Sequence, residues 1–185
     1  MKVVWTFIFI AICVVAFALE FFVPTRFFSF IPVYALSRPW TFVTSIFLHA
    51  SFEHLFFNMF ALFMFGIYLE TRIKKINFVF IFFLAGIVGN LGYMITAPNA
   101  TTPAIGASGA IYGVMGALAA LIPSATVYIG YMPMPIVFTA FIWAITDFLG
   151  LFVPGPIAHG AHLTGLFIGI LFGLYLRKTK PSRTR

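Results

Sequence analysis

The chain has 185 residues, 62% of them hydrophobic and 8% charged, with a formal net charge of +7. A soluble domain carries about 25% charged residues to solvate its surface, so a soluble fold is excluded. The cations sit at the ends of apolar runs, a pattern that orients a membrane protein and argues against nucleic acid as the partner of the basic charge.

Apolar segments occupy about residues 3–23, 51–69, 77–96, 107–122, 136–153 and 159–176. A bilayer span takes roughly 20 apolar residues. The predicted fold is therefore an all-α bundle of six transmembrane helices, one domain over 1–176, followed by a basic tail at 177–185. Its partner is the lipid bilayer. The first segment carries Lys2 and Ala16-Phe17-Ala18, which is shaped like a signal-peptide cleavage site. Its apolar run continues through Leu19, Phe21, Phe22 and Val23, which predicts a retained helix. Cys13 is the only cysteine, so no disulfide forms within the chain. The loop from Pro24 to Thr44 is too apolar for a simple turn and is predicted to lie partly in the membrane interface.

His49, His54 and Asn58 lie around one end of the second segment, and Glu70, beside Arg72, follows its other end. Glu70 is expected to form an interfacial cap or an ion pair with Arg72. The fourth and sixth segments are short for a full span. The fourth begins with Gly106-Ala107-Ser108-Gly109 and carries Tyr112, the fifth carries Asp147 late, and the sixth opens with His159 and His162. With both termini inside, Lys2, Arg72, Lys74, Lys75, Arg177, Lys178, Lys180, Arg183 and Arg185 lie on the cytoplasmic side. Only Arg26 and Arg38 lie outside, which sets the orientation in a cell membrane.

Polar groups in hydrocarbon are costly and mark function. At a rise of about 1.5 Å per residue, Ser108, His54 and His162 all fall roughly 5–12 Å below the outer surface. His54 and Asn58 share a helix face, as do Ser108 and Tyr112. Gly109, Gly113 and Ala117, and Ala161, Gly165, Gly169 and Gly173, form small-residue stripes that let helices approach closely. A serine becomes a nucleophile when a neighbouring base takes its proton, and a neutral histidine suits that task. Ser108 opens a helix behind Gly106, so unpaired backbone N–H groups lie near a developing oxyanion, where His54 and Asn58 add donors. No acidic residue is near His162 in sequence, so the expected unit is a Ser108–His162 dyad, with no role given to Asp147.

These residues resemble the rhomboid family of intramembrane serine proteases. Gly106-Ala107-Ser108-Gly109 resembles its GxSG motif, Ala161-His162-Leu163-Thr164-Gly165 the motif of its catalytic histidine, and His49, His54 and Asn58 its HxxxxHxxxN pattern. The likeness runs from about Arg38 to Gly173. It implies that Ser108 is the nucleophile and His162 the general base and acid. It further implies that His54, Asn58 and the Ser108 N–H form the oxyanion hole, that Tyr112 packs on His162, and that Phe57 belongs to a substrate gate. Substrates would be transmembrane segments of other proteins, cleaved without metal or cofactor on the extracytoplasmic side. The chain departs from the family at Thr41 after Trp40, at Lys74, and at Thr164 after the histidine motif's leucine.

Three other readings stand beside this one. A zinc peptidase would need HExxH, which is absent, and no carboxylate accompanies His159 and His162 in sequence. A transporter would show paired broken half-repeats, which are not visible. An inactive rhomboid-like client-binding protein would lack the serine or the histidine, and both are present.

Overall fold

The computed structural model describes residues 2–97, 99–129, 131–153 and 155–179. Helix α1 is Trp5–Leu19, and α2 is Phe52–Glu70, with a π-helical stretch at Leu62–Gly66. Helix α3 is Lys75–Thr96 and α4 is Ser108–Leu121. A hairpin of β1, Thr126–Ile129, and β2, Met132–Pro135, leads into α5, Ile136–Gly150, and α6, His159–Thr179. Helices α2, α3 and α6 are long and apolar enough to cross a membrane, while α1, α4 and α5 are shorter apolar helices.

Helix α4 is the axis of the bundle, with every residue from Gly109 to Leu121 buried. In a membrane, helices gain little from hiding apolar surface from lipid, so close van der Waals packing must hold them together. The small-residue stripes supply it. A Cβ placed on Gly165, Gly169 or Gly173 of α6 would run into the carbonyl oxygens of Gly109, Gly113 and Ala117 of α4. On the other side, a Cβ on Gly113 would overlap the Ala85 Cβ of α3. The backbones of α3, α4 and α6 therefore pack almost without intervening side chains.

The two ends of α1 are each tied to α2 or the turn before it. Glu70, 1% exposed, accepts hydrogen bonds from the N–H groups of Val4, Trp5 and Thr6, each at 2.9 Å, and from the Thr6 hydroxyl at 2.8 Å. A carboxylate at a helix N-terminus satisfies its orphan donors and faces the positive end of the dipole. Of the two expectations for Glu70, the cap holds, but it caps a different helix, and Arg72 instead lies over the Tyr68 ring. At the opposite end Glu20 accepts the His49 N–H at 3.0 Å.

The loop after α1 is ordered by its own polar contacts. Trp40 donates to the Phe27 carbonyl, Thr44 to that of Phe28, and Arg38 lies over Tyr34. Buried Phe30 pairs with Ala104 as an antiparallel bridge, which fastens this loop to the segment entering α4.

Several sequence-based boundaries are corrected. Helix α1 stops at Leu19 rather than Val23, and α5 at Gly150 rather than Val153. The sixth segment is not short, since α6 continues to Thr179 through Arg177 and Lys178, the first part of the predicted tail; residues 180–185 lie outside the described residues. The all-α expectation missed the hairpin. Thr126, Val127, Tyr128 and Ile129 favour extended backbone, and Pro133 and Pro135 cannot sit in a helix interior. The two-stranded ribbon tolerates both prolines because β2 pairs on one side only.

Candidate active site

Ser108 is the first residue of α4, so its own N–H lacks an intrahelical acceptor. The turn before it requires Gly106, whose φ of +124° is unsuited to an L side chain. A Cβ there would also lie 2.8 Å from the His54 ring. Three hydrogen bonds hold this turn from behind. The Gly106 N–H donates to the Ser45 carbonyl at 2.9 Å, and Asn90 of α3 donates to the Ser45 hydroxyl and the Phe42 carbonyl, both at 3.0 Å. Asn90 was not singled out from the sequence; a buried amide in an apolar helix was the available signal.

His162 is on the first turn of α6, opposite Ser108. Its Nε2 lies 2.8 Å from the Ser108 Oγ, a hydrogen bond between helices. Its Nδ1 lies 2.8 Å from Asp147 Oδ1. A carboxylate accepts only, so Nδ1 carries the proton and Nε2 presents its lone pair to the serine. Tyr112, one turn into α4, stacks on the imidazole with ring centroids 4.4 Å apart and planes at 11°. Trp143 of α5 backs Tyr112 at 5.4 Å.

Asp147 joins the expected Ser108–His162 pair as a third hydrogen-bonded group. It sits on another helix, as expected, but the eight residues between α5 and α6 return the chain tightly enough to bring Asp147 under His162. That short return was the sequence signal overlooked. Asp147 also accepts from His159 Nδ1 at 2.6 Å, so one carboxylate oxygen bridges two imidazoles. Both histidines are largely buried, with the His159 and His162 side chains 15% and 12% exposed. HExxH is absent from the chain, but the second sequence argument against a metal, that no carboxylate accompanies these histidines, does not survive in three dimensions. The donor atoms of Asp147, His159 and His162 lie within 4.8 Å of one another.

His54, in the first turn of α2, accepts the Ala50 N–H on Nδ1 at 3.4 Å, which leaves Nε2 as the protonated nitrogen. That nitrogen lies against Gly106, beside Ser108. Asn58, one turn on, spends one amide proton on the His54 carbonyl at 2.8 Å and keeps a second. Its Oδ1 is buried without a partner among the described residues. Gly109 faces Ala161 and Gly89, where close approach brings α6 to α4. Phe57 is not in this cluster; it is 58% exposed on the outer face of α2, edge-on to Phe56.

His49 lies in the turn ahead of α2, 1% exposed, with Nδ1 3.2 Å from the Phe47 carbonyl and its ring 5.1 Å from that of His54. Burial, reinforced by the neighbouring His54, pushes its pKa down to about 4. The side chain is thus a neutral structural element.

Residues 36–179 match the Rhomboid domain. The chain is 33% identical over 144 residues to "Putative rhomboid protease YdcA" of Bacillus subtilis, covering 78% of this chain and 70% of that protein. It is 33% identical over 144 residues to "Rhomboid protein 1, mitochondrial" of Saccharomyces cerevisiae, covering 74% of this chain and 41% of the yeast protein. It is also 34% identical over 151 residues to "Inactive RHOMBOID-like protein 8" of Arabidopsis thaliana, covering 77% and 41% respectively. The chain thus spans less than half the length of the yeast and plant relatives. Its apolar helices, their small-residue packing and the domain match lead to one assignment: the chain is a multi-pass membrane protein and a member of the rhomboid family.

Proposed function

We propose that the chain is an intramembrane serine endopeptidase. It spans the cell membrane six times with both termini cytoplasmic and cleaves transmembrane segments of other proteins from the extracytoplasmic side. The observation that carries this reading is the relay from Asp147 through His162 to Ser108, with bonds of 2.8 Å on either side of the imidazole.

The Ser108 Oγ attacks the scissile carbonyl carbon while its proton passes to His162 Nε2. Asp147 holds the Nδ1–H, keeps the ring in the accepting tautomer, and stabilises the imidazolium that forms. Tyr112 fixes the ring plane. The negative charge on the carbonyl oxygen meets the Ser108 N–H, the His54 Nε2–H and the free Asn58 amide proton. Each such donor is worth about 10²–10³ in rate when it is preorganised. The tetrahedral intermediate collapses as His162 returns the proton to the leaving amine, leaving an ester on Ser108. A water molecule, deprotonated by His162, then hydrolyses that ester. Every proton transfer uses a side chain, so no metal or cofactor is required. Phe57, exposed on α2, is the proposed gate residue for an entering segment.

The alternative is a catalytically inactive client-binding protein; the similarity to an inactive rhomboid-like protein of Arabidopsis supports its inactivity. Labelling with a fluorophosphonate separates the two. A protease reacts at Ser108, and Ser108→Ala abolishes both labelling and cleavage of a tagged single-span protein in liposomes. A wild-type chain that neither labels nor cleaves sinks the proposal.

A further inference from the structure

We propose that Asp147, His159 and His162 form a binding site for a zinc-class divalent transition metal, and that the metal switches off the hydrolytic centre by capturing His162. The inhibitory half rests on the proposed protease function; the binding half does not.

The donor set comes first. Two imidazole nitrogens and one carboxylate oxygen, all within 4.8 Å of one another, are the ligand types and the number that zinc takes from protein while keeping a fourth position open. Ligands around tetrahedral zinc stand about 3.3 Å apart at bond lengths of about 2.0–2.2 Å. The Asp147 contacts, at 2.6 and 2.8 Å, need only open slightly and the two rings close together. Imidazole with a single carboxylate favours zinc, copper or nickel over the oxygen-seeking magnesium and calcium.

Placement and access agree. His159 lines a cavity of about 200 Å³ with Tyr93, Thr96, Gly150 and Ile157, so an ion can reach it through a space that Ser108 does not line. The His159 ring is packed directly on Gly150, where any Cβ would overlap it, so the ring is held facing Asp147. His159 has no task in the proposed reaction. A hydrolytic relay needs one imidazole on its aspartate, and this carboxylate oxygen carries two.

The inhibitory consequence follows from the tautomer. In the metal-free site both Nδ1 atoms are protonated, because both donate to Asp147. A metal can bond Nδ1 only after that proton moves to Nε2, through water, with each imidazole remaining neutral. His162 then presents Nε2–H to Ser108 instead of a lone pair. The base has become a donor, and the serine keeps its proton.

The test uses the full chain in detergent micelles. In Ser108→Ala, which lacks the nucleophile but keeps all three ligands, Co²⁺ should produce the visible bands of a tetrahedral site at one ion per chain, displaced by Zn²⁺. His159→Gln, which preserves a hydrogen bond to Asp147 but is a poor ligand, should weaken binding at least tenfold. Gly150→Ala, which keeps the imidazole but pushes it aside, should do the same. In the wild-type chain Zn²⁺ should suppress fluorophosphonate labelling, with recovery on adding chelator, and His159→Gln should need at least tenfold more Zn²⁺ for the same suppression. Absence of the Co²⁺ bands in Ser108→Ala overturns the site, as does unchanged affinity in both variants. Binding without suppression of labelling overturns the switch. A wild-type chain that never labels, yet binds Co²⁺ as described, defeats the protease reading alone.

Discussion

Asp147 lies on α5, 15 residues before His162, and in the proposed reaction it fixes the tautomer of the imidazole. Replacing it with asparagine keeps the shape and removes the charge that balances an imidazolium. The expected result for Asp147→Asn is a fall in kcat of at least tenfold, and up to the about 10⁴-fold known for a triad aspartate, with KM within a few-fold. Kinetics on a transmembrane substrate, with the melting temperature followed in parallel, check this; an unchanged kcat in a folded variant refutes it. His49 supplies a prediction of a different kind. Its pKa falls from 6.5 to about 4 because it is buried beside His54, while its own N–H is held by the Glu20 carboxylate. The folded state thus binds fewer protons than the unfolded one between those values. Stability contributed by neutral His49 is complete above about pH 6.5 and is lost as pH falls toward about 4. The melting temperature should decline across that window, and less steeply in His49→Gln, which cannot titrate; parallel slopes would refute the assignment.

At the level of elements, the separation of Ser108 from His162 is set by how closely α4 and α6 pack. Gly169→Val would drive a branched side chain into the Gly113 carbonyl. Backbone cannot yield as a flexible side chain does, so the expected cost is at the upper end of overpacking, about 3 kcal/mol, with activity lost before folding is. Gly155→Ala in the α5–α6 return, where a Cβ meets only the Val153 carbonyl oxygen at an ordinary 3.9 Å, is the control that should leave both intact. Chemical unfolding and cleavage assays on the pair would decide, and equal stability would show that the glycine stripe does not set the spacing. This stripe was legible in the sequence because a four-residue repeat of small residues has one structural use in a membrane helix. The serine, histidine and asparagine motifs were legible for a similar reason: polar side chains in apolar helices are rare enough to stand out, and helical rise gives their depth. What could not be read was any contact between helices that are not related by depth. Glu70 was visible as an oddity, but which helix it would cap depends on packing. Asp147 was visible too, and its partner depended on a short return. The hairpin at Thr126–Pro135 was hidden because prolines read first as loop.

The whole molecule combines these contacts into an orientation. Glu70 binds the start of α1, so Lys2 and Arg72 lie at one end of the bundle. Ser108, His162 and His54 open α4, α6 and α2, and they meet at the other end with the loop that carries Arg26 and Arg38. The far end of α6, with Arg177 and Lys178, therefore returns to the Lys2 side. Between the two ends a belt of exposed apolar residues, including Phe7, Phe63, Phe80, Phe141 and Phe167, suits contact with acyl chains. The proposed orientation puts the cation-rich end in the cytoplasm, as the positive-inside rule expects. A thiol reporter can test this directly, because the only natural cysteine, Cys13, is fully buried and can be replaced by serine. In that background Leu36→Cys, at a position 98% exposed in the first loop, should react with a membrane-impermeant maleimide on intact spheroplasts. Arg72→Cys should react only after permeabilisation. Neutralising Lys74 and Lys75 in the Arg72→Cys chain should shift a measurable fraction toward labelling from outside, since the charge bias that holds the loop inside is then reduced. Labelling of Arg72→Cys in intact spheroplasts with Lys74 and Lys75 present would invert the bundle. The serine centre would then face the cytoplasm, and its substrates would be membrane proteins whose cleavage sites lie on that side.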